Sequence, residues 1–121
     1  MPQGTIPRGL EFFEPELKGR PGAARLFART GAPVIPVGLW GTERVWPRSA
    51  RLPNVGNLVS PPRVTLRVGS PVAGLTGVDE RADTERIMAA VMDLLPAESR
   101  VRRSPSPDEL TRTLPPGHHK T

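Results

Sequence analysis

The residues of this 121-residue chain whose types and spacing suit chemistry gather in its first twenty positions. Gly4, Gly9 and Gly19 alternate there with Pro2, Pro7 and Pro15, a spacing that breaks both helical and strand periods and predicts an irregular loop. Backbone N–H groups freed in such a loop meet anions, and Arg8, Lys18 and Arg20 add fixed positive charge around it. The chemistry this favours is the holding of an anionic group. Machinery for making or breaking bonds is not legible beside it. The chain has no Cys, no Gly-x-Gly-x-x-Gly, no Walker-type loop and no pair of histidines on a helix, so neither a metal enzyme nor a nucleotide enzyme is supported. Its only histidines are His118 and His119, in a stretch with little to bury.

The elements that must position this loop follow it directly. Pro21 suits a first helical turn, Ala23, Ala24, Leu26, Phe27 and Ala28 supply an apolar side, Arg25 and Arg29 face outward at i,i+4, and Gly31 ends the helix. The run from Ala32 to Trp40 is apolar on both sides, the pattern of a strand covered on both faces in a parallel sheet, although Pro36 places it at an edge or a bulge. Loop, helix and apolar strand in that order are half of a βαβ unit. Phe12 and Phe13 pin the loop, either to the core or to an acyl chain.

Residues 41–62 have no sustained period and set Arg44, Arg48 and Arg51 beside Val45, Trp46 and Leu52. Indole favours the headgroup region of a membrane and guanidinium favours phosphate, so Trp46, Arg44 and Arg48 are the candidates for contact with lipid; the competing reading has Trp40 and Trp46 covering the core rim above solvated arginines. From Arg63 to Gly69 the residues alternate, and a half-exposed strand is expected with Val64, Leu66 and Val68 inward and Arg63, Thr65 and Arg67 outward. Between Asp83 and Leu95, Ile87, Met88, Val91, Leu94 and Leu95 share one helical face, and Pro96 stops the helix. Beyond it, residues 97–121 form a basic, Pro-rich stretch that reads as a flexible tail, with Ser104-Pro105 and Ser106-Pro107 as modification motifs and His118-His119 as a metal-collecting pair only if the tail is more than a tail.

The totals set limits. With 36% hydrophobic residues, 16 Pro and 12 Gly, the core is small for the length. No run approaches the ~20 apolar residues that span a bilayer. The net charge of +5 is concentrated in residues 1–60, which suits phosphate-bearing ligands, anionic lipid or nucleic acid, but aromatics are only 4% of the chain and no reading motif for nucleic acid is present. Two strands are also too few for a sheet that is stable alone. The chain therefore reads as the back portion of a larger α/β domain, or as one that borrows partner strands from another chain.

These blocks together resemble the glycerolipid acyltransferases, which move an acyl group from an acyl thioester onto glycerol-3-phosphate or its 1-acyl derivative. Pro2-Gln3-Gly4-Thr5 stands where that family has Pro-Glu-Gly-Thr, Gly22-Ala23-Ala24-Arg25-Leu26 is similar to its following helix, and Pro33-Val34-Ile35-Pro36-Val37 to its apolar proline strand. With Gly38-Leu39-Trp40-Gly41-Thr42 and the strand from Val64 to Val72, the likeness covers about residues 2–96 and is strongest to the actinobacterial 1-acyl-glycerol-3-phosphate acyltransferases, some of which are fused to a haloacid-dehalogenase-like hydrolase domain.

The resemblance implies the C-terminal half of a glycerol-3-phosphate acyltransferase-like αβα domain in residues 1–96. It implies Gln3, Gly4, Thr5 and Arg8 as the block that holds the acceptor phosphate, with Lys18 or Arg20 as second candidates; Gln3 replaces the usual Glu, and Ile6 stands where an Arg is common. It implies acyl-CoA or acyl carrier protein as acyl donor, 1-acyl-glycerol-3-phosphate (lysophosphatidate) as acceptor, phosphatidate as product, no bound cofactor or metal, no nucleic-acid partner, and a peripheral place on the cytoplasmic face of the cell membrane. The family's base is a His-x-x-x-x-Asp motif whose His takes the proton of the acceptor hydroxyl. No such pair is in this chain, so it is expected upstream of Met1, and the 121 residues alone are expected to be inactive. The alternative is a non-catalytic basic module that binds anionic lipid or nucleic acid.

Overall fold

A computed structural model describes residues 9–15, 18–46, 50–52, 59–102 and 104–115. Within them a 3-10 turn at Gly9–Phe13 is followed by α1 (Gly22–Thr30), β1 (Val37–Trp40), α2 (Thr42–Val45), β2 (Thr65–Val68), α3 (Glu80–Leu94), a 3-10 turn at Ala97–Arg100 and α4 (Pro107–Arg112). The described residues thus form a small mixed helix and strand domain with one two-stranded sheet.

Helix α1 lies where its punctuation places it. Pro21 precedes it, and Gly31 ends it in the left-handed region (φ 64°), its N–H donating to the Phe27 carbonyl at 2.8 Å. Ala24 is buried against α3, Arg25 and Arg29 are exposed as expected, and Leu26 turns outward with them. Helix α3 starts three residues earlier than its apolar stripe suggests. The Asp79 carboxylate caps it, accepting from the Arg81 and Ala82 N–H groups, while Ile87 and Met88 supply most of the buried core.

The acidic residue read as the start of that helix, Asp83, is an anchor in its first turns. Its side chain is 1% exposed. One carboxylate oxygen accepts from the Thr76 N–H at 2.9 Å and the Thr76 hydroxyl at 3.4 Å, and the other from the Gly77 N–H at 2.7 Å. The Thr76 N–H, then those of Gly77 and the Thr76 hydroxyl, hold its pKa below the ordinary carboxylate value against the opposing effect of burial, and Arg86 at 3.8 Å adds to the lowering. Arg86 also donates to the Gly74 carbonyl. The turn before α3 is therefore tied to the helix at three residues, which seats Gly77 (φ 71°) against Phe27 and Ala28 of α1.

The sheet departs from expectation in direction and in facing. β1 and β2 pair antiparallel, with Val37 opposite Val68, Gly38 opposite Arg67, Leu39 opposite Leu66 and Trp40 opposite Thr65, where the apolar run had suggested a parallel neighbour. An antiparallel return needs no crossover helix, and among the described residues between β1 and β2 the short α2 is the one regular element. The ladder continues past Pro36, whose carbonyl accepts from Gly69, and then slips by one residue: Pro71 would fall opposite Val34 but has no N–H, and the Val34 carbonyl accepts from Val72 instead.

The alternation of β2 is present, but the inward and outward sides are exchanged. Gly38 and Gly69 let Leu94 of α3 settle directly on the sheet; a Cβ added at Gly38 would lie 2.7 Å from the Leu94 Cβ, and one at Gly69 would lie 3.3 Å from its Cδ1. The glycine side is the only one flat enough for that approach. It therefore becomes the face on which α3 packs; Thr65 on that side is half-buried and Arg67 remains exposed, while Val64, Leu66 and Val68 are exposed on the other side.

The stretch read as a basic tail contains ordered short elements among its described residues. Arg100 bonds Asp93 at 3.0 Å and the Met92 carbonyl, Arg102 pairs with Glu14 at 2.7 Å, and α4 begins with a capping box in which Ser106 and Glu109 satisfy each other's backbone N–H. Helix α4 lies against the Gly9–Phe13 turn.

Candidate functional site

The covered face of the sheet carries a cationic cleft of about 190 Å³. Arg63, Thr65 and Arg67 reach it because alternate residues of an extended chain share one side. Cross-strand pairing then sets Trp40 beside Thr65 and Gly38 beside Arg67. Gly38 has no side chain, so Leu94 of α3 takes the place beside it opposite Arg67 and becomes part of the lining of the cleft. Arg44 of α2 enters from the β1 end, and Leu94, Pro96 and Glu98 line the opposite wall.

Three guanidinium groups and one carboxylate thus line a single small space. Arg63 and Arg67 form no ion pair with any described residue, and Arg44 lies 3.8 Å from its neighbour Glu43, too far for a hydrogen bond. Glu98 in the lining and Glu43 beside Arg44 offset this charge only in part. Guanidinium presents paired N–H donors that match two oxygens of a phosphate or carboxylate, and the Thr65 hydroxyl adds a further donor. The arrangement suits an anionic ligand with several oxygens. His118 and His119, the histidines of the chain, lie outside the described residues.

The residues expected to hold phosphate are distributed differently. Gln3, Gly4, Thr5 and Arg8 lie outside the described residues, as does Arg48. Lys18 and Arg20 are exposed on either side of Gly19, which packs tightly on α3: a Cβ there would fall 2.5 Å from the Met88 Cγ and 2.9 Å from the Thr84 Cγ2. Neither cation has an ion-pair partner among the described residues. They stand beside the middle of α3, whereas the cleft stands beside Leu94, about 9 Å further along the helix axis from Met88. Of the residues expected to meet lipid, Arg44 is in the cleft, while Trp46, 55% exposed, donates its indole N–H to the Ala50 carbonyl at 3.1 Å and so closes its own loop.

Arg63 and Arg67 were not among the expected site residues. Their alternation with Val64 and Leu66 is the ordinary signature of a solvent-facing stripe. The signal that separates the two cases is Gly38, whose position opposite Arg67 only the register reveals. Among the described residues no group of three or more His, Cys, Asp or Glu is placed to hold a metal ion, and no helix is long and apolar enough to cross a membrane. No family model, no curated protein and no solved structure matches this chain.

Proposed function

We propose that this chain is the acceptor-binding part of a glycerolipid acyltransferase of phospholipid biosynthesis, working peripherally at the cytoplasmic face of the membrane. The observation that carries the reading is the gathering of Arg44, Arg63 and Arg67 around one cleft, of which Arg63 and Arg67 form no ion pair with any described residue. In this reading the cleft takes the phosphate of 1-acyl-glycerol-3-phosphate, alongside the Gln3-Gly4-Thr5 block and Arg8 that the family likeness implies. The acyl group would come from acyl-CoA or an acyl carrier protein. Proton removal from the acceptor hydroxyl would fall to a His-Asp pair that these 121 residues do not contain.

Two assays on the 121-residue chain test this together. Incubation with acyl-CoA and lysophosphatidate is expected to give no phosphatidate, while calorimetry is expected to show lysophosphatidate binding that glycerol-3-phosphate competes away. Robust transfer would overturn the assignment of the base to another segment, and absence of binding would overturn the acceptor site. A second reading, a basic module for anionic lipid or nucleic acid, is favoured by the scatter of cations at Lys18, Arg20, Arg29 and Arg51 that have no ion-pair partner among the described residues. It expects salt-sensitive binding to anionic vesicles or duplexes that glycerol-3-phosphate does not compete.

A further inference from the structure

The face of the sheet opposite the cleft is aliphatic and open. Val37 and Val68 form one cross-strand pair on it and Leu39 and Leu66 the next, and the same alternation brings in Ile35 and Val64. These six side chains are between 41% and 62% exposed. None carries a charge or a hydrogen-bonding group, and four are β-branched, the shapes that pack sheet on sheet. A two-stranded sheet with one bare face is marginal alone.

We propose that this face is a self-association surface, covered by the same face of a second copy of the chain around a two-fold axis. Charge selects this occupant. With a net charge of +5, two copies repel through most approaches, but the aliphatic face is neutral and Arg63 and Arg67 project from the other side of the sheet. Stacked sheets lie about 10 Å apart, so the two cationic faces are held further from each other than the ~8 Å over which salt screens charge. A bilayer fits less well, since insertion of this face would turn those two arginines away from the headgroups. Size agrees. Six half-exposed aliphatic residues offer on the order of 500 Å² per copy, so the pair reaches the roughly 1,000 Å² at which specific interfaces begin. The surface is self-complementary, as a two-fold contact requires. It leaves both clefts accessible, and the inference does not depend on what the cleft binds.

Sedimentation equilibrium of the full 121-residue chain over a wide concentration range is expected to show a species of twice 13.1 kDa. Leu66→Glu is expected to weaken self-association by about a hundredfold or more, because a carboxylate is pressed into an aliphatic seam. Val59→Glu, at an exposed position off the sheet, is expected to leave it unchanged. A wild-type monomer, or a dimer indifferent to Leu66→Glu, overturns the proposal. Should Leu66→Glu fail to fold, the absence of native Cys supplies a second readout: Leu66→Cys is expected to form an interchain disulfide readily, and Val78→Cys, exposed ahead of α3, is not. Equal cross-linking of the two variants overturns the proposal, and so does binding of a monomeric wild-type chain to uncharged phosphatidylcholine vesicles.

Discussion

Asp83 is buried while the arginines of the cleft, Arg44, Arg63 and Arg67, are exposed, and the fold treats these charges in opposite ways. Every oxygen of Asp83 is engaged by the turn it holds, and its pKa is lowered accordingly. Arg63 and Arg67 line a cleft with no counter-charge bonded to them. A charge whose partners are all internal is a fastener. One whose donors are left over is a receptor, since like charges gathered without an anion cost Coulomb energy that a bound anion recovers.

The largest effect that would break this contrast is on the fastener. Asp83→Ala leaves the Thr76 and Gly77 N–H groups without their acceptor, and the melting temperature is expected to fall by roughly ten degrees. A thermal melt followed by circular dichroism checks it, and an unchanged midpoint would remove Asp83 from that role. Next in size is Gly38→Ala. Its Cβ would press on Leu94 and on the wall of the cleft, at a cost of about 1–3 kcal/mol in urea unfolding together with weaker ligand binding. A variant that kept full stability would show that sheet and α3 are not in close contact at Gly38.

The receptor side should behave in reverse. Arg63→Ala and Arg67→Ala are each expected to lower affinity for a phosphate monoester by about tenfold while changing stability by no more than about 0.5 kcal/mol. A large loss of stability without loss of binding would make them fasteners too. The pH response sharpens the same distinction. Because the folded pKa of Asp83 is depressed, its contribution to stability is complete above about pH 4 and fades as the pH falls through the unfolded and then the folded value. Asp83→Ala is expected to flatten the acid limb of a stability profile, and Arg67→Ala is not. The smallest effect is expected at the exposed pair Arg25–Glu80, 2.8 Å apart but roughly half in solvent, where Arg25→Ala should cost less than about 1 kcal/mol in the same unfolding assay.

Local rules were legible in the sequence where a single residue type decides the outcome. Pro21 and Gly31 bracket α1, and the Ile87 and Met88 stripe is the core face of α3. What depends on which chain neighbours which was not legible. The run through Val37 looked like a parallel strand because both of its sides are apolar, yet its partner returns antiparallel. The alternation from Arg63 to Gly69 fixed two sides for β2 without saying which was inward, and hydrophobicity pointed to the wrong one. Two glycines, 38 and 69, outweighed three aliphatic side chains because they let the backbone of the sheet meet α3. Asp83 was hidden for a related reason, since an acidic residue near a helix start reads as a solvated first-turn charge until its bonds to residues 76 and 77 are seen. The cleft follows from both: Arg63 and Arg67 become site residues only once their side of the strand is the covered one.

The central claim is that the arginines of the covered face receive a phosphate, and titration calorimetry of the 121-residue chain with 1-acyl-glycerol-3-phosphate tests it most directly. The account expects saturable binding by the wild type that the double variant Arg63→Ala, Arg67→Ala loses by about a hundredfold, with its melting temperature unchanged. Equal affinity in the two proteins would contradict it.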